Sequence, residues 1–396
     1  MKKYLLTLLF ICLTAMSVMA GKRTTVIISL DGCRWDYPLW YDTPFLDYMA
    51  GHGVEAGLIP SYPSKTFPNH YALATGLYPD HHGIVANSFY DPDDDDWFSL
   101  SDQSKEMDPK FWGGDPIWNT AQRQGKHVAV FYWPGSDVKI GGMRPDIFRY
   151  YNEQPHLTPE ERTELILGQL KLKEEKRPDL IMCYIEQPDA NGHDYGPQGK
   201  ETRRAMQWMD QVLGNLYRAI TQLPIASDVN FIVVSDHGMA WCPKENIVPI
   251  MNRLKPEWIR QVVGNVPCHI YAKAGYQDSV YHALQGLDHA RVWKKQDIPA
   301  RLHYGTNRRV GDVVVDPMIG YLVQEKGKKA GATHGFDPDY MEMHAVFRAI
   351  GPDFRHTSLP HFRNVDIYPL LCHLLQITPS TCDGDMAEIK DMLKYS

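Results

Sequence analysis

The chain has 396 residues, 43% of them hydrophobic and 22% charged, a globular composition that excludes a disordered polypeptide and suffices for one large α/β domain or two smaller ones. The formal net charge is −7, and no basic stripe offers a footprint for a duplex, so nucleic-acid polymer binding is not expected.

Residues 1–20, "MKKYLLTLLFICLTAMSVMA", carry Lys2 and Lys3, an apolar stretch, then small residues ending at Val18 and Ala20. This is the layout of a secretory signal. Its removal leaves 39 basic against 48 acidic residues, a formal charge of −9, and one domain over 21–396. No other apolar run approaches the ~20 residues of a membrane span, and Cys12 lies mid-segment rather than at a lipobox-like cleavage point. An exported protein, periplasmic or secreted and without a membrane span, is expected. The remaining cysteines, Cys33, Cys183, Cys242, Cys268, Cys372 and Cys382, are dispersed with no C-x-x-C pair and make no thiolate metal site. Cys372 and Cys382 are near enough in sequence to bridge, and buried free thiols fit equally well.

Four apolar, β-branched runs predict buried strands: "TTVIISL" at 24–30, "HVAVFYW" at 127–133, "DLIMCYI" at 179–185 and "NFIVVS" at 230–235. Helical stretches separate them. The clearest are 158–176, opened by a Thr158/Glu161 capping box, and 201–223. Alternation of this kind predicts an α/β fold with a mostly parallel central sheet and helices on both faces. A Pro-, Trp- and Gly-rich stretch over 241–330 predicts a small inserted, cap-like subdomain. The acidic run "DPDDDDW" at 91–97 lacks the spaced ligands and turn glycine of a calcium loop, and a solvated loop is expected.

In open α/β sheets ligands gather outside the carboxyl ends of the strands, and there the acids and imidazoles appear. Asp31 follows the first strand, Asp189 and His193 the third, Asp236 and His237 the fourth; His334 lies in "GATHGFDP". Taken singly, Asp31 before Gly32 is an ordinary turn residue, and one Asp-x-x-x-His is common by chance. Together the six divide into Asp31, Asp236, His237 and Asp189, His193, His334. Two sets of three oxygen and nitrogen donors predict a pair of zinc-like ions, ~3.5–4 Å apart as in two-metal phosphoryl-transfer sites. Thr66, in "PSKTFPNHYALATG", supplies a hydroxyl. With Pro68 favouring the first turn, a helix starts there with Thr66 near its N-cap, where free amides and the dipole favour a phosphate. Thr66 is both a cap and a candidate nucleophile.

These segments, "DGCRWDY", "SKTFPNHYALATGLYPDHHGIVAN", "FYWPGSDV", "IEQPDANGHDYGP", "VVSDHGM" and "GATHGFD", occur in an order and spacing that resembles the nucleotide pyrophosphatase/phosphodiesterase family of the alkaline phosphatase superfamily. The resemblance runs from about Val26 to the end and is weakest over 241–330. It implies an alkaline phosphatase-like fold and two Zn2+ ions. Thr66 would be the nucleophile, forming a phospho-threonine; Asp31, Asp236 and His237 would bind one zinc with Thr66, and Asp189, His193 and His334 the other. Asn87 matches the asparagine that, with a backbone N–H, holds a non-bridging phosphate oxygen. Phe67 and Tyr151 match the aromatics that sandwich a base, Trp133 and Pro134 would wall the same pocket, and Lys65 lies beside the phosphate. On the residues alone, Asn87 is a turn residue and the aromatics are packing residues. The chain lacks the family's somatomedin-like and nuclease-like modules, which implies a minimal catalytic form.

The implied activity is hydrolysis of phosphodiester or pyrophosphate bonds in small nucleotides, releasing nucleoside 5'-monophosphates. Alternatives are a choline-type lysophospholipid phosphodiesterase of the same family, a phosphomonoesterase, a phosphoethanolamine transferase, and a silent binding protein. A monoesterase should bring an arginine to the extra phosphate oxygen, and only Lys65 neighbours Thr66. The sequence carries no signature of an oligomeric state.

Overall fold

The computed structural model of the chain describes residues 22–324 and 331–394. The expected leader therefore lies outside the described residues. The strands of the central sheet are, in chain order, β1 (Thr24–Leu30), β2 (Val54–Ile59), β3 (Val128–Phe131), β4 (Ile147–Arg149), β5 (Leu180–Ile185), β6 (Val229–Val234), β7 (Ala345–Ile350), β8 (Thr357–Ser358) and β9 (Phe362–Arg363). They lie in the order β8-β2-β7-β6-β1-β5-β3-β4, with β9 also on β2. All pair in parallel except β7, which runs antiparallel to both β2 and β6.

Every residue of β1 is buried, and Ile27 sits between Met182 of β5 and Ile232 of β6. Covered on both faces, such strands read as unbroken apolar runs rather than alternating ones. The sequence does not point to β2 and β7. Glu55 and Gly57 interrupt the first, and Arg348 the second, where its buried guanidinium donates to the Ala56 carbonyl and to Glu55.

Four of the helices are α1 (Thr66–Thr75), α2 (Pro159–Leu170), α3 (Asp189–Tyr195) and α4 (Lys200–Thr221). Helix α4 buries Ala205, Met206, Met209, Val212, Leu213, Leu216 and Ile220, the spacing of one helical face. The capping box opens α2, with Glu161 N–H on Thr158 Oγ1 and Thr158 N–H on Glu161 Oε2. That helix stops at Leu170, short of the expected 176, because Lys171 and 173–176 are exposed and bury nothing that would hold another turn.

Between β6 and β7 the chain builds a second, four-stranded antiparallel sheet from Ile259–Val263, Cys268–Ala272, Val313–Pro317 and Ala290–Lys294. A helix at Gln277–Leu284 packs on it around its own cluster of Cys268, Ile270, Val280, Leu284, Val313 and Val315. At the base of this excursion Ala240–Cys242 pairs antiparallel with Gly331–Thr333.

The acidic run is not simply a solvated loop. It forms a hairpin, Ser88–Asp91 with Asp96–Ser99, and Asp91 is fully buried against Arg309 Nε at 2.7 Å and Arg308 Nη2 at 2.8 Å. Only its tip, with Asp93, Asp94 and Asp95, is exposed. Cys33, Cys183, Cys242, Cys268, Cys372 and Cys382 are all free thiols.

Candidate active site

The carboxyl ends of β1, β5 and β6 converge on one spot. Asp31 follows β1 directly, Asp236 and His237 follow β6, and α3 starts at Asp189 just beyond β5, so that His193 comes up one turn later on the same side. The Asp189 N–H donates to the Asp31 carbonyl at 3.0 Å. Gly32 sits in the left-handed region at φ +66°, and a Cβ there would lie 2.8 Å from Asp189. Only glycine lets the two loops approach this closely while its N–H reaches Asp236 Oδ1 at 3.1 Å.

Two donor sets result. Asp31, Asp236 and His237 each offer a ligand atom within 4.8 Å of the others, and so do Asp189, His193 and His334. In the first, His237 Nε2 lies 3.0 Å from Asp236 Oδ2 and 3.4 Å from Asp31 Oδ1. In the second, Asp189 lies 3.3 Å from His193 Nε2 and 3.8 Å from His334 Nε2. The rings of His237 and His334 stack at 3.5 Å, so the two sets adjoin.

The side chains fit a cation in three ways. Each imidazole Nδ1 faces a backbone carbonyl: His237 that of Gly238 at 2.8 Å, His193 that of Ala332 at 2.7 Å, His334 that of Ser64 at 2.8 Å. A carbonyl only accepts, so the proton sits on Nδ1 and each Nε2 lone pair is left for a ligand. Next, Asp31 Oδ1, Asp189 Oδ1 and Asp236 Oδ2 are buried without a hydrogen-bond partner, an expensive arrangement unless a positive charge meets them. Finally, burial and the neighbouring Asp236 and Asp189 push the Asp31 carboxyl well up, while burial and the facing His237 and Lys65 hold His334 well down, which favours the neutral imidazole that a cation needs. Donors of oxygen and imidazole nitrogen suit zinc-like ions.

Thr66 is the first residue of α1, and Lys65 occupies the N-cap position in extended conformation. The expectation that Thr66 caps the helix is therefore corrected: its Oγ1 turns instead to His237 Nε2, 3.3 Å away. Phe67 N–H donates to Asn87 Oδ1 at 2.9 Å, which leaves the Asn87 NH2 as the group able to donate to an anion.

Three further expectations concern the pocket walls. Phe67 is fully buried, its ring edge-on to Tyr151 at 5.0 Å. Trp133 is also fully buried and donates through Nε1 to the His70 carbonyl at 3.0 Å, with Pro134 buried beside it. The Lys65 ammonium donates to the His334 carbonyl at 2.6 Å; burial lowers it to about 8.

Two contributors escape a reading of the sequence. His70 is fully buried and reaches Ser29 Oγ through Nε2 at 2.8 Å, with Nδ1 3.0 Å from the Thr66 carbonyl and 3.3 Å from Asp236 Oδ2. Its signal is a polar Asn69-His70 pair inside a helix whose ten residues are all buried. Tyr184, near the end of β5, donates to Asp31 Oδ2 at 2.7 Å, and nothing in an apolar strand marks one tyrosine as special.

Comparison with known proteins bears on this arrangement. The family model for type I phosphodiesterase / nucleotide pyrophosphatase matches residues 25–337. Venom phosphodiesterase 2 of Crotalus adamanteus is 35% identical over 386 residues, covering 93% of this chain and 47% of its own length. Human ectonucleotide pyrophosphatase/phosphodiesterase family member 5 is 34% identical, covering 96% of this chain and 80% of its own. The chain thus spans about half the length of the venom relatives it matches. A solved structure of the murine family member 5, an inactive threonine-to-alanine variant in complex with AMP, superposes with a TM-score of 0.88 at 35% identity, covering 94% of this chain and 100% of that one.

Proposed function

Because the chain belongs to the type I phosphodiesterase / nucleotide pyrophosphatase family, we propose that it is a zinc-dependent hydrolase of nucleotide phosphodiester and pyrophosphate bonds. It releases nucleoside 5'-monophosphates through a phospho-threonine on Thr66. The observation that carries this reading is the 3.3 Å approach of Thr66 Oγ1 to His237 Nε2, at a helix N-terminus with two donor sets beside it. The relative described as inactive after a threonine-to-alanine exchange, with AMP bound, supports a threonine nucleophile and a monophosphate product.

Asp31, Asp236 and His237 would hold one ion together with Thr66, and Asp189, His193 and His334 the other. Such ions, when bound, supply Lewis-acid stabilisation of charge on oxygen. The protein's own part is positioning. His70 and Asn69, which donates to the Lys65 carbonyl at 2.8 Å, fix the start of α1, so that Thr66 Oγ1, its proton lost to solvent, attacks phosphorus in line; the bond to the leaving oxygen breaks, and that oxygen takes up a proton from solvent. The Asn87 NH2 and the Thr66 N–H would face the non-bridging oxygens, since the Phe67 N–H is taken by Asn87 Oδ1 and Pro68 has none. Water then attacks phosphorus, the P–Oγ1 bond breaks, one proton of the water restores the Thr66 hydroxyl, and the monophosphate is released.

Diesters are favoured over monoesters because, among the described residues, no hydrogen bond or ion pair joins an arginine to Thr66 or to the six ligands. Hydrolysis of p-nitrophenyl thymidine phosphate against p-nitrophenyl phosphate tests this, and ATP against lysophosphatidylcholine tests the nucleotide assignment. Preference for the second member of either pair overturns that part of the reading. We place the protein outside the cytoplasm, periplasmic or secreted, from its leader-like residues 1–20; among the described residues no helix is long and apolar enough to cross a membrane. Residues 241–330 are taken as a cap-like insertion in one catalytic domain spanning 21–396.

A further inference from the structure

The last ligand, His334, comes from a loop rather than from a strand end of the central sheet, and two neighbours hold that loop. On one side is the loop before Thr66: His334 Nδ1 donates to the Ser64 carbonyl, and Ser64 Oγ donates to the Phe336 carbonyl at 2.7 Å. On the other is the second sheet. Asp337, three residues past His334 and almost fully buried, is gripped by the fork of Arg301, Nη1 to Oδ1 at 2.8 Å and Nη2 to Oδ2 at 2.6 Å. Arg291 Nη1 lies 3.0 Å from the same carboxylate, while its Nη2 reaches Asp316 at 2.8 Å. Asp316 in turn accepts from the Tyr62 hydroxyl at 3.0 Å, in the loop before Thr66. One chain of charges, carried by the inserted sheet and by the turn at Ala300–Leu302 between two of its strands, thus ties both loops that orient His334.

The first donor set has no such dependence. Asp31, Asp236 and His237 sit at the ends of β1 and β6, and their supports are Tyr184, Gly32 and Ser235 of the central sheet. A bidentate arginine–carboxylate pair adds geometric specificity as well as energy, and partners that orient a metal ligand typically change affinity by about 10–100-fold when lost.

We infer that Arg301, Arg291 and Asp337 are positioning residues for His334, by which the insertion sets the affinity of the second metal site far more than that of the first. This rests on reading His334 as a ligand of a second ion. The test is a titration of the metal-stripped mature protein with Zn2+ and, for its ligand-field spectrum, Co2+. Wild type should take up two ions. Arg301→Ala, at a partly exposed side chain, should bind the first normally and the second about 10–100-fold more weakly, its Co2+ spectrum moving toward that of His334→Ala. Arg301→Lys, which keeps the charge and loses the fork, should fall between. Asp339→Ala removes an exposed partner of Arg301 and should match wild type. Asp337→Asn, which keeps the shape, repeats the test should Arg301→Ala fold poorly. Unchanged binding of both ions, or equal weakening of both, overturns the inference. Fewer than two ions on wild type overturns the two-ion reading itself, and the inference with it.

Discussion

The Tyr184 hydroxyl donates to Asp31 Oδ2 at 2.7 Å with both groups buried, so a residue of β5 decides which oxygen of the β1 carboxylate is left free. Tyr184→Phe keeps the packing and removes only this bond. It should weaken binding at the first ion site by about tenfold and lower kcat/KM with it, while stability falls by about 1 kcal/mol. Metal titration and thermal melts read the two effects separately.

Removing metal should cost both activity and stability. Without a cation, three buried carboxylate oxygens have no partner. Chelation should abolish turnover and lower Tm, and added Zn2+ should restore both, with about 2.7 kcal/mol of stabilisation at a hundredfold excess over Kd. A Tm indifferent to chelator and zinc counts against the two donor sets as metal sites.

Stability should depend on pH through Asp316. Burial raises this carboxyl to about 7, with Arg291 and Tyr62 opposing and Asp337 adding to the rise. Its unfolded value is about 3.9, so the folded state keeps the proton longer. Its contribution is complete below about pH 4 and is lost as pH rises through 7, by about 2–4 kcal/mol. Urea unfolding at pH 5 and pH 8 should show this loss in wild type, and Asp316→Asn should flatten it.

Trp133 should behave as a support. Trp133→Phe loses the bond to the His70 carbonyl and should cost about 1 kcal/mol in stability, leaving KM for nucleotides unchanged. A raised KM with unchanged stability would place Trp133 in the pocket wall.

How far these features are legible in the sequence depends on how local their cause is. β1, β3, β5 and β6 announce themselves because burial on both faces makes their runs continuously apolar. The candidate ligands Asp31, Asp236 and His237 follow from the position of an acid or imidazole straight after such a run. β2 and β7 are hidden because Glu55 and Arg348 satisfy each other across the pair, a contact nearly 300 positions apart. The same holds for Arg301 and Asp337, whose purpose exists only once the inserted sheet stands beside the His334 loop. Phe67 and Trp133 show another limit: composition identifies an aromatic, and only packing tells whether its face meets solvent or core. Thr66 does stand at the helix start, but one position inside the cap, because Pro68 is equally at home throughout the first turn and does not fix the boundary.

Above all, the reading requires that Thr66 attack phosphorus beside two metal-binding donor sets. The decisive assay is turnover of p-nitrophenyl thymidine phosphate by Thr66→Ala, with bound metal measured on the same sample. We expect a loss of roughly 10³-fold or more in kcat with two ions still bound. Near-wild-type turnover by that variant would remove Thr66 as the nucleophile.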